Sequence, residues 1–139
     1  LAKRGAASPS PVELLDLYPT LAELCGLARP AHLEGTSLVP SLEDPRAEVK
    51  PFAITQHPRP AYYTKEEPEV MGYSLRTRHH RYTEWRNWRT GEVVARELYD
   101  HQIDPGENKN ITSESSRRVQ ALSRKLAKVH PVKRHPAAD

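Results

Sequence analysis

Three basic side chains near the middle of the sequence have the types and spacing to bind an anion. His57 and Arg59 lie in a proline-rich stretch, residues 57–68, and Arg76 falls in an alternating segment, residues 71–77. An arginine guanidinium presents a planar pair of donors to a carboxylate or another oxyanion, and histidine changes its charge near neutral pH. His57, Arg59 and Arg76 are therefore the candidate anion-binding residues.

Each of these candidates also has a purely structural interpretation. The prolines make residues 57–68 a stiff connector in which Arg59 is simply solvated. Arg76 is spaced to form an ion pair with Glu84 across a hairpin. The residues alone leave both interpretations open.

No catalytic residue and no metal-ligand set is predicted from the sequence. Four histidines form no His-x-x-x-His pair and have no acidic residues at ligand spacing: His57, His79, His80 and His101. The single cysteine, Cys25, excludes an internal disulfide and a multi-cysteine zinc site. We expect Cys25 to be a buried apolar residue at a helix end.

The candidate residues are positioned by four short segments that are predicted to be β-strands from alternation or from β-forming residue types: residues 52–56, 71–77, 81–86 and 94–99. Short turns join the last three, which favours an antiparallel meander. Residues 57–68 are predicted to form a surface loop. Four aromatic residues are expected to pack in the core or on the sheet: Tyr73, Tyr82, Trp85 and Tyr99.

A helix is predicted after the strands. It runs from Thr112 or Ser113, either of which can cap a helix, to about Lys128. Apolar residues recur along it at steps of three and four: Val119, Leu122, Leu126 and Val129. This stripe is buried only if the helix lies across a sheet face, so the fold class is α+β, a four-stranded antiparallel sheet with a C-terminal helix packed on it.

Another helix is predicted near the start of the chain, at residues 17–25. Asp16 has the side chain of its N-cap, and Gly26 suits the position past its end. The helix carries one apolar stripe, formed by Leu17, Leu21 and Leu24.

The composition, with 37% hydrophobic and 28% charged residues, is that of one globular domain. The net charge of +3 permits polyanion binding, but solvated basic helix faces commonly produce such a charge, and no nucleic-acid partner is predicted. No run approaches the roughly 18 apolar residues of a membrane span. No signal peptide is recognisable, so any targeting signal is expected outside this segment.

Several motifs resemble the sulfatase family, within the alkaline-phosphatase-like superfamily. Asp-Leu-Tyr-Pro-Thr-Leu at residues 16–21 and Leu-Glu-Gly-Thr-Ser-Leu at 33–38 resemble the segment that closes its large catalytic domain. Leu-Tyr-Asp at 98–100 and Asp-Pro-Gly-Glu at 104–107 resemble elements shared by many sulfatases.

Two further motifs resemble the C-terminal subdomain of iduronate-2-sulfatase-type enzymes. They are Pro-Arg-Pro at residues 58–60 and Met-Gly-Tyr-Ser-Leu-Arg-Thr at 71–77, and the whole likeness spans residues 11–128. It implies a linker or disordered segment at 1–10, the end of an α/β catalytic domain at 11–50, the C-terminal subdomain at 51–130, and a tail at 131–139. The apolar stripe of the first helix is then expected to be partly exposed or covered by another copy of the chain.

The resemblance also implies a function. The parent enzyme would hydrolyse a sulfate ester on a sugar acid, with this segment as one wall of the pocket and His57, Arg59 and Arg76 contacting the anionic substrate. Calcium and a formylglycine nucleophile are expected in a missing N-terminal catalytic domain. The family's Asp-Asp and Asp-Asn or Asp-His metal-ligand pairs have no matching position here, and Cys25 lacks the proline of the Cys/Ser-x-Pro-x-Arg context. The segment alone is expected to be inactive, and such enzymes are periplasmic, secreted or lysosomal. The alternative is a stand-alone glycan-binding, anion-binding or structural module.

Overall fold

The computed structural model describes residues 4–60 and 67–133. The chain falls into two compact units that divide between Ala53 and Ile54. The first unit contains two short helices, and the second contains the β-sheet and the last helix. The predicted extents 11–50 and 51–130 remain predictions about a longer protein.

The first unit is built around α1, Leu17–Leu24, which follows one 3-10 turn at Leu14–Asp16, and α2, Val39–Glu43. Pro19 fits the first turn of α1, where its missing N–H costs no hydrogen bond. Gly26 adopts a φ of 66° just past the helix, a conformation that favours glycine. The predicted helix is therefore present and ends one residue early.

Asp16 joins three parts of the first unit and does not cap α1. Its carboxylate is fully buried and makes no capping hydrogen bond. It accepts hydrogen bonds from the Glu13 N–H at 2.7 Å, the Thr36 N–H at 2.9 Å and Lys50 Nζ at 2.7 Å. Asp16 does occupy the predicted N-cap position of α1, but its side chain does not cap the helix because the carboxylate is engaged by donors from the preceding turn and two distant loops.

Replacing Lys50 by Met is expected to lower the free energy of unfolding of the first unit by about 2 kcal/mol. The variant leaves a buried carboxylate without its cation. Burial by itself raises the pKa of Asp16, but hydrogen bonds from Lys50, Thr36 and Glu13 outweigh it and hold that pKa below its usual value. The stabilisation by Asp16 is therefore complete above about pH 4 and is lost as the pH falls further.

Hydrogen exchange of residues 11–50 in increasing urea measures this loss. Lys109→Met is the matched control, because it breaks an exposed ion pair with Glu114 and should change stability little. Equal protection of residues 11–50 in Lys50→Met and the unmodified chain would contradict the assigned role of the ion pair.

The apolar stripe of α1 remains partly exposed, as the resemblance predicted. Its members Leu17, Leu21 and Leu24 are 52%, 61% and 49% exposed. The helix buries its other side through Pro19, Thr20 and Ala22. The burial predicted for Cys25 was wrong: this thiol is exposed, since it lies beyond the last helical residue.

The second unit contains a four-stranded antiparallel sheet in the order β1-β2-β3-β4. The strands are Ala53–Arg59, Val70–Arg76, His80–Asn87 and Val93–Asp100. Gly72 on β2 lies opposite Trp85 on β3, which lies opposite Ala95 on β4. The predicted antiparallel meander is confirmed.

Strand β1 extends further than predicted. Residues 57–59, assigned to a loop from the sequence, continue the strand to Arg59. Pro58 is tolerated because β1 is an edge strand, where one missing N–H removes no bond to a second neighbour. Residues 61–66 of the predicted loop lie outside the described residues.

Helix α3, Ser116–Val129, packs on one face of this sheet. Leu75, Tyr82 and Leu98 stand side by side on three neighbouring strands. They are fully buried together with Leu126 of α3. The helix begins later than predicted because a turn, closed by a hydrogen bond from the Glu114 N–H to the Ile111 carbonyl, occupies residues 111–114.

Glu84 is the buried polar centre between β3 and α3. Its carboxylate accepts hydrogen bonds from the Tyr82 hydroxyl at 2.8 Å, Ser123 Oγ at 2.6 Å and the Arg86 guanidinium at 2.8 and 2.9 Å. Arg86 also donates to the carbonyl of His130 at 2.9 Å. These contacts attach the second half of α3 to the sheet.

In residues 4–60 and 67–133, no helix has both the length and the apolar character that crossing a membrane requires.

Candidate functional site

The candidate site lies on the face of the sheet opposite α3, which we call the distal face; it carries Arg59, Gly72, Trp85 and Glu97. Side chains alternate between faces along a strand, and Tyr82, Glu84 and Arg86 point towards α3. Trp85 therefore points the other way.

Arg59 lies over the indole of Trp85. Its guanidinium carbon is 3.8 Å from the ring centroid, within the range of a cation–π contact. Trp85 is only 9% exposed, whereas Arg59 is exposed. The indole is thus a covered support, as its predicted packing role requires, and the arginine is the group that can reach a ligand.

Gly72 provides the space for this arrangement. A Cβ atom at position 72 would lie 2.7 Å from Cζ3 of Trp85, too close for any side chain without movement of the ring. The six-membered ring of Trp85 therefore lies directly against the backbone of β2. This close approach explains why a glycine occupies the interior of that strand.

Glu97 fixes the other end of the indole. Trp85 Nε1 donates a hydrogen bond to Glu97 Oε1 at 2.8 Å. Burial, together with the nearby Glu97 carboxylate, raises the pKa of Tyr99 on the same strand. One continuous set of contacts thus crosses all four strands, from Arg59 over Gly72 and Trp85 to Glu97.

His57 belongs to the same part of the distal face. It precedes Arg59 by two residues on β1, so both side chains point to the same side, about 7 Å apart along the strand. Its side chain is exposed. The structure therefore brings His57 and Arg59 to one surface, where both can approach a single anionic ligand.

Arg76 lies at the other end of β2. The backbone N–H of Glu69, beside the start of β2, bonds to the carbonyl of Arg59 at 2.8 Å, so Arg76 lies about 20 Å along the strand from Arg59. Its guanidinium donates to the carbonyls of Thr77 and His80 at the β2–β3 turn. Burial lowers the pKa of Arg76, and the Glu107 carboxylate opposes that effect.

Arg76 therefore binds the turn and does not join the site formed by His57 and Arg59. The predicted ion pair between Arg76 and Glu84 was wrong. Glu84 points towards α3 and pairs with Arg86, whereas Arg76 shares the distal face with Gly72.

Arg59 differs from Arg81 and Arg76, two other cations of the distal face, in how its guanidinium is engaged. Arg81 forms an ion pair with Glu107, which also accepts a bond from His101. Among the described residues, no carboxylate pairs with Arg59, whose contact is with the Trp85 ring. The guanidinium donors of Arg59 are therefore not engaged by any carboxylate of the described residues.

Calcium, which the resemblance implies for the complete enzyme, does not fit the described part of this chain. No group of three or more His, Cys, Asp or Glu side chains lies together there as metal ligands.

Trp85, Gly72 and Glu97 were not predicted as functional residues. Alternation along β3 indicates that Trp85 shares a face with Arg81 and Thr83. It does not indicate which residues of the neighbouring strands lie beside the indole, because register depends on contacts between distant segments.

Comparison with protein families matches residues 2–132 of this chain to the family described as N-sulphoglucosamine sulphohydrolase, C-terminal. Arylsulfatase K of Mus musculus is 31% identical over 131 residues, which cover 91% of this chain and 23% of that protein. Iduronate 2-sulfatase of Homo sapiens is 31% identical, over 83% of this chain and 27% of that protein.

Among solved structures, one described as a 2-O GAG sulfatase superposes with a TM-score of 0.58 at 30% identity. The match covers 82% of this chain and 24% of that one. The chain therefore spans about a quarter of the length of each of these relatives.

Proposed function

This chain belongs to the family of N-sulphoglucosamine sulphohydrolase C-terminal domains, and we propose that it forms one wall of the substrate pocket in a longer sulfatase of the iduronate-2-sulfatase type. The observation that carries the proposal is Arg59, exposed and unpaired with any described carboxylate, supported on Trp85 beside His57. The relatives named above as sulfatases support the reaction class.

In this proposal His57 and Arg59 bind and orient the substrate. A sulfated uronate carries both a carboxylate and a sulfate group, and each matches the planar donor set of an arginine. Binding at fixed points places the ester bond against the catalytic groups and reduces the entropy lost on reaction. Arg76 is proposed to contribute less, because its guanidinium already serves the β2–β3 turn.

The catalytic groups are proposed to lie in an N-terminal catalytic domain that is the partner of this chain. That domain would hold a formylglycine nucleophile and calcium, which supply attack at sulfur and stabilisation of the sulfate charge. The described residues of this chain offer no metal-ligand group for that chemistry.

The purified 139-residue chain is expected to give no turnover of an aryl sulfate in the presence of calcium. The same chain joined to its N-terminal catalytic domain is expected to release sulfate from both the aryl sulfate and a sulfated uronate. Calcium-dependent turnover by the chain alone would contradict the proposal that the catalytic groups lie in the N-terminal domain. If the joined protein hydrolyses neither ester, the interpretation of this chain as a stand-alone binding module would be favoured.

A further inference from the structure

The orientation of Arg59 depends on a contact that the sequence did not reveal. An arginine on an exposed edge strand has many rotamers, and binding a ligand with it costs much of that freedom. Here the guanidinium lies 3.8 Å from the Trp85 centroid, so the ring removes part of this freedom before any ligand binds.

Two neighbours in turn fix the indole. The backbone at Gly72 limits how far the ring can sink towards the sheet, and the 2.8 Å hydrogen bond to Glu97 fixes its rotation. The carboxylate of Glu97 lies on β4, two strands beyond β2 and three beyond Arg59. The Glu97 carboxylate, on the opposite edge strand from Arg59, can thereby affect the orientation of the Arg59 guanidinium.

We propose that Trp85 and Glu97 are positioning residues for the substrate, acting through Arg59: Glu97 holds the indole, and the indole holds the guanidinium. The inference rests on the proposed function, because it assigns Arg59 a role in anion binding. It adds that substrate affinity depends on two side chains that do not contact the substrate.

A positioning role differs from a purely structural one in how variants combine. If Trp85 acts through Arg59, removing Trp85 has no further effect once Arg59 is gone. If Trp85 only stabilises the sheet, its removal has the same effect with or without Arg59.

The test measures KM and kcat of the joined enzyme for a sulfated uronate. We expect Trp85→Leu to raise KM about three- to tenfold with kcat nearly unchanged. Glu97→Ala should raise KM about two- to tenfold, and Glu97→Gln, which keeps an acceptor for Trp85 Nε1, should restore a value close to that of the unmodified enzyme. Glu92→Gln, at an exposed turn residue, is the control for lost charge.

The double variant Arg59→Ala/Trp85→Leu is expected to have the KM of Arg59→Ala to within about twofold. If Trp85→Leu leaves KM unchanged, or adds its full effect in the double variant, the positioning inference is wrong while the proposed function stands. If Arg59→Ala itself leaves KM unchanged, the proposed function fails.

A second measurement uses the 139-residue chain alone and does not depend on activity. The side-chain protons of Arg59 should show an upfield ring-current shift in NMR spectra. Trp85→Leu should abolish the shift, Glu97→Ala should reduce it, and Glu97→Gln should keep it. If Trp85→Leu fails to fold, Trp85→Phe replaces it in this test. This variant keeps a ring and loses Nε1, so it should reduce the Arg59 shift as Glu97→Ala does. An Arg59 shift that does not respond to Glu97→Ala would refute the link from Glu97 to the arginine.

Discussion

Arg59→Ala in the complete enzyme is expected to raise KM for a sulfated uronate by about ten- to a hundredfold, with a smaller change in kcat. One charge-assisted hydrogen bond to the substrate contributes roughly 1.5–3 kcal/mol, which corresponds to that range. KM rises more than kcat falls if the bond is equally strong in the ground state and the transition state. Steady-state kinetics at constant ionic strength measures both parameters.

Arg117→Ala is the matched control for Arg59→Ala. Arg117 is an exposed arginine of α3, the helix on the other face of the sheet, so its loss removes the same charge away from the site. It should leave KM nearly unchanged. An unaltered kcat/KM in folded Arg59→Ala would favour the structural interpretation, in which His57 and Arg59 belong to a stiff, solvated segment.

Glu84→Ala is expected to lower the free energy of unfolding of the second unit by about 3–5 kcal/mol. The variant leaves the Arg86 side chain, only 4% exposed, without its carboxylate, and it removes the acceptor of the Tyr82 and Ser123 hydroxyls. Urea denaturation followed by tryptophan fluorescence measures the loss, since both tryptophans lie in this unit. Glu92→Ala, at an exposed turn, is the control, and a loss below about 1 kcal/mol in Glu84→Ala would contradict the assignment.

The same cluster predicts a pH dependence. Burial raises the pKa of Glu84, but hydrogen bonds from Ser123, Arg86 and Tyr82 outweigh it, so the pKa in the folded state lies below the usual 4.5. The unfolded chain then binds the proton more readily. The contribution of Glu84 is complete above about pH 5 and disappears as the pH falls through the lower folded-state value. The free energy of unfolding of Glu84→Ala should therefore decrease less below about pH 5 than that of the unmodified chain.

The sheet and the last helix could be predicted because their side chains repeat with the right periods. Alternation along residues 71–77, the β-forming residue types of 81–86, and the three-four spacing of Val119, Leu122 and Leu126 depend on local sequence alone. The structure confirms both elements. Residues 57–59 were missed because proline is unfavourable in a central strand, and the sequence does not show that β1 is an edge strand.

The contacts of the candidate site could be predicted only in part. The exposure and the anion-binding chemistry of His57 and Arg59 could be predicted from their residue types. The structure places both side chains on one face. The support from Trp85 depends on register across three strands, which no local pattern encodes. Arg76 was grouped with Arg59 because both are arginines in related motifs, yet the length of β2 separates them.

Buried charges were the least predictable feature. Asp16 has the residue type of a helix cap, and the distant residues Thr36 and Lys50 decide its role. Glu84 pairs with Arg86 two residues along the same strand, on the face that α3 covers. Which carboxylates become buried depends on tertiary packing, and the residue type alone favours exposure.

A structure of the complete enzyme with a bound sulfated uronate tests the central claim most directly. The measured quantity is the distance from the Arg59 guanidinium nitrogens to the carboxylate and sulfate oxygens of the ligand. The proposed function predicts a nitrogen–oxygen distance of about 3 Å, with the guanidinium still over Trp85. A bound ligand whose oxygens all lie more than about 6 Å from Arg59, beyond the reach of a hydrogen bond, would contradict it.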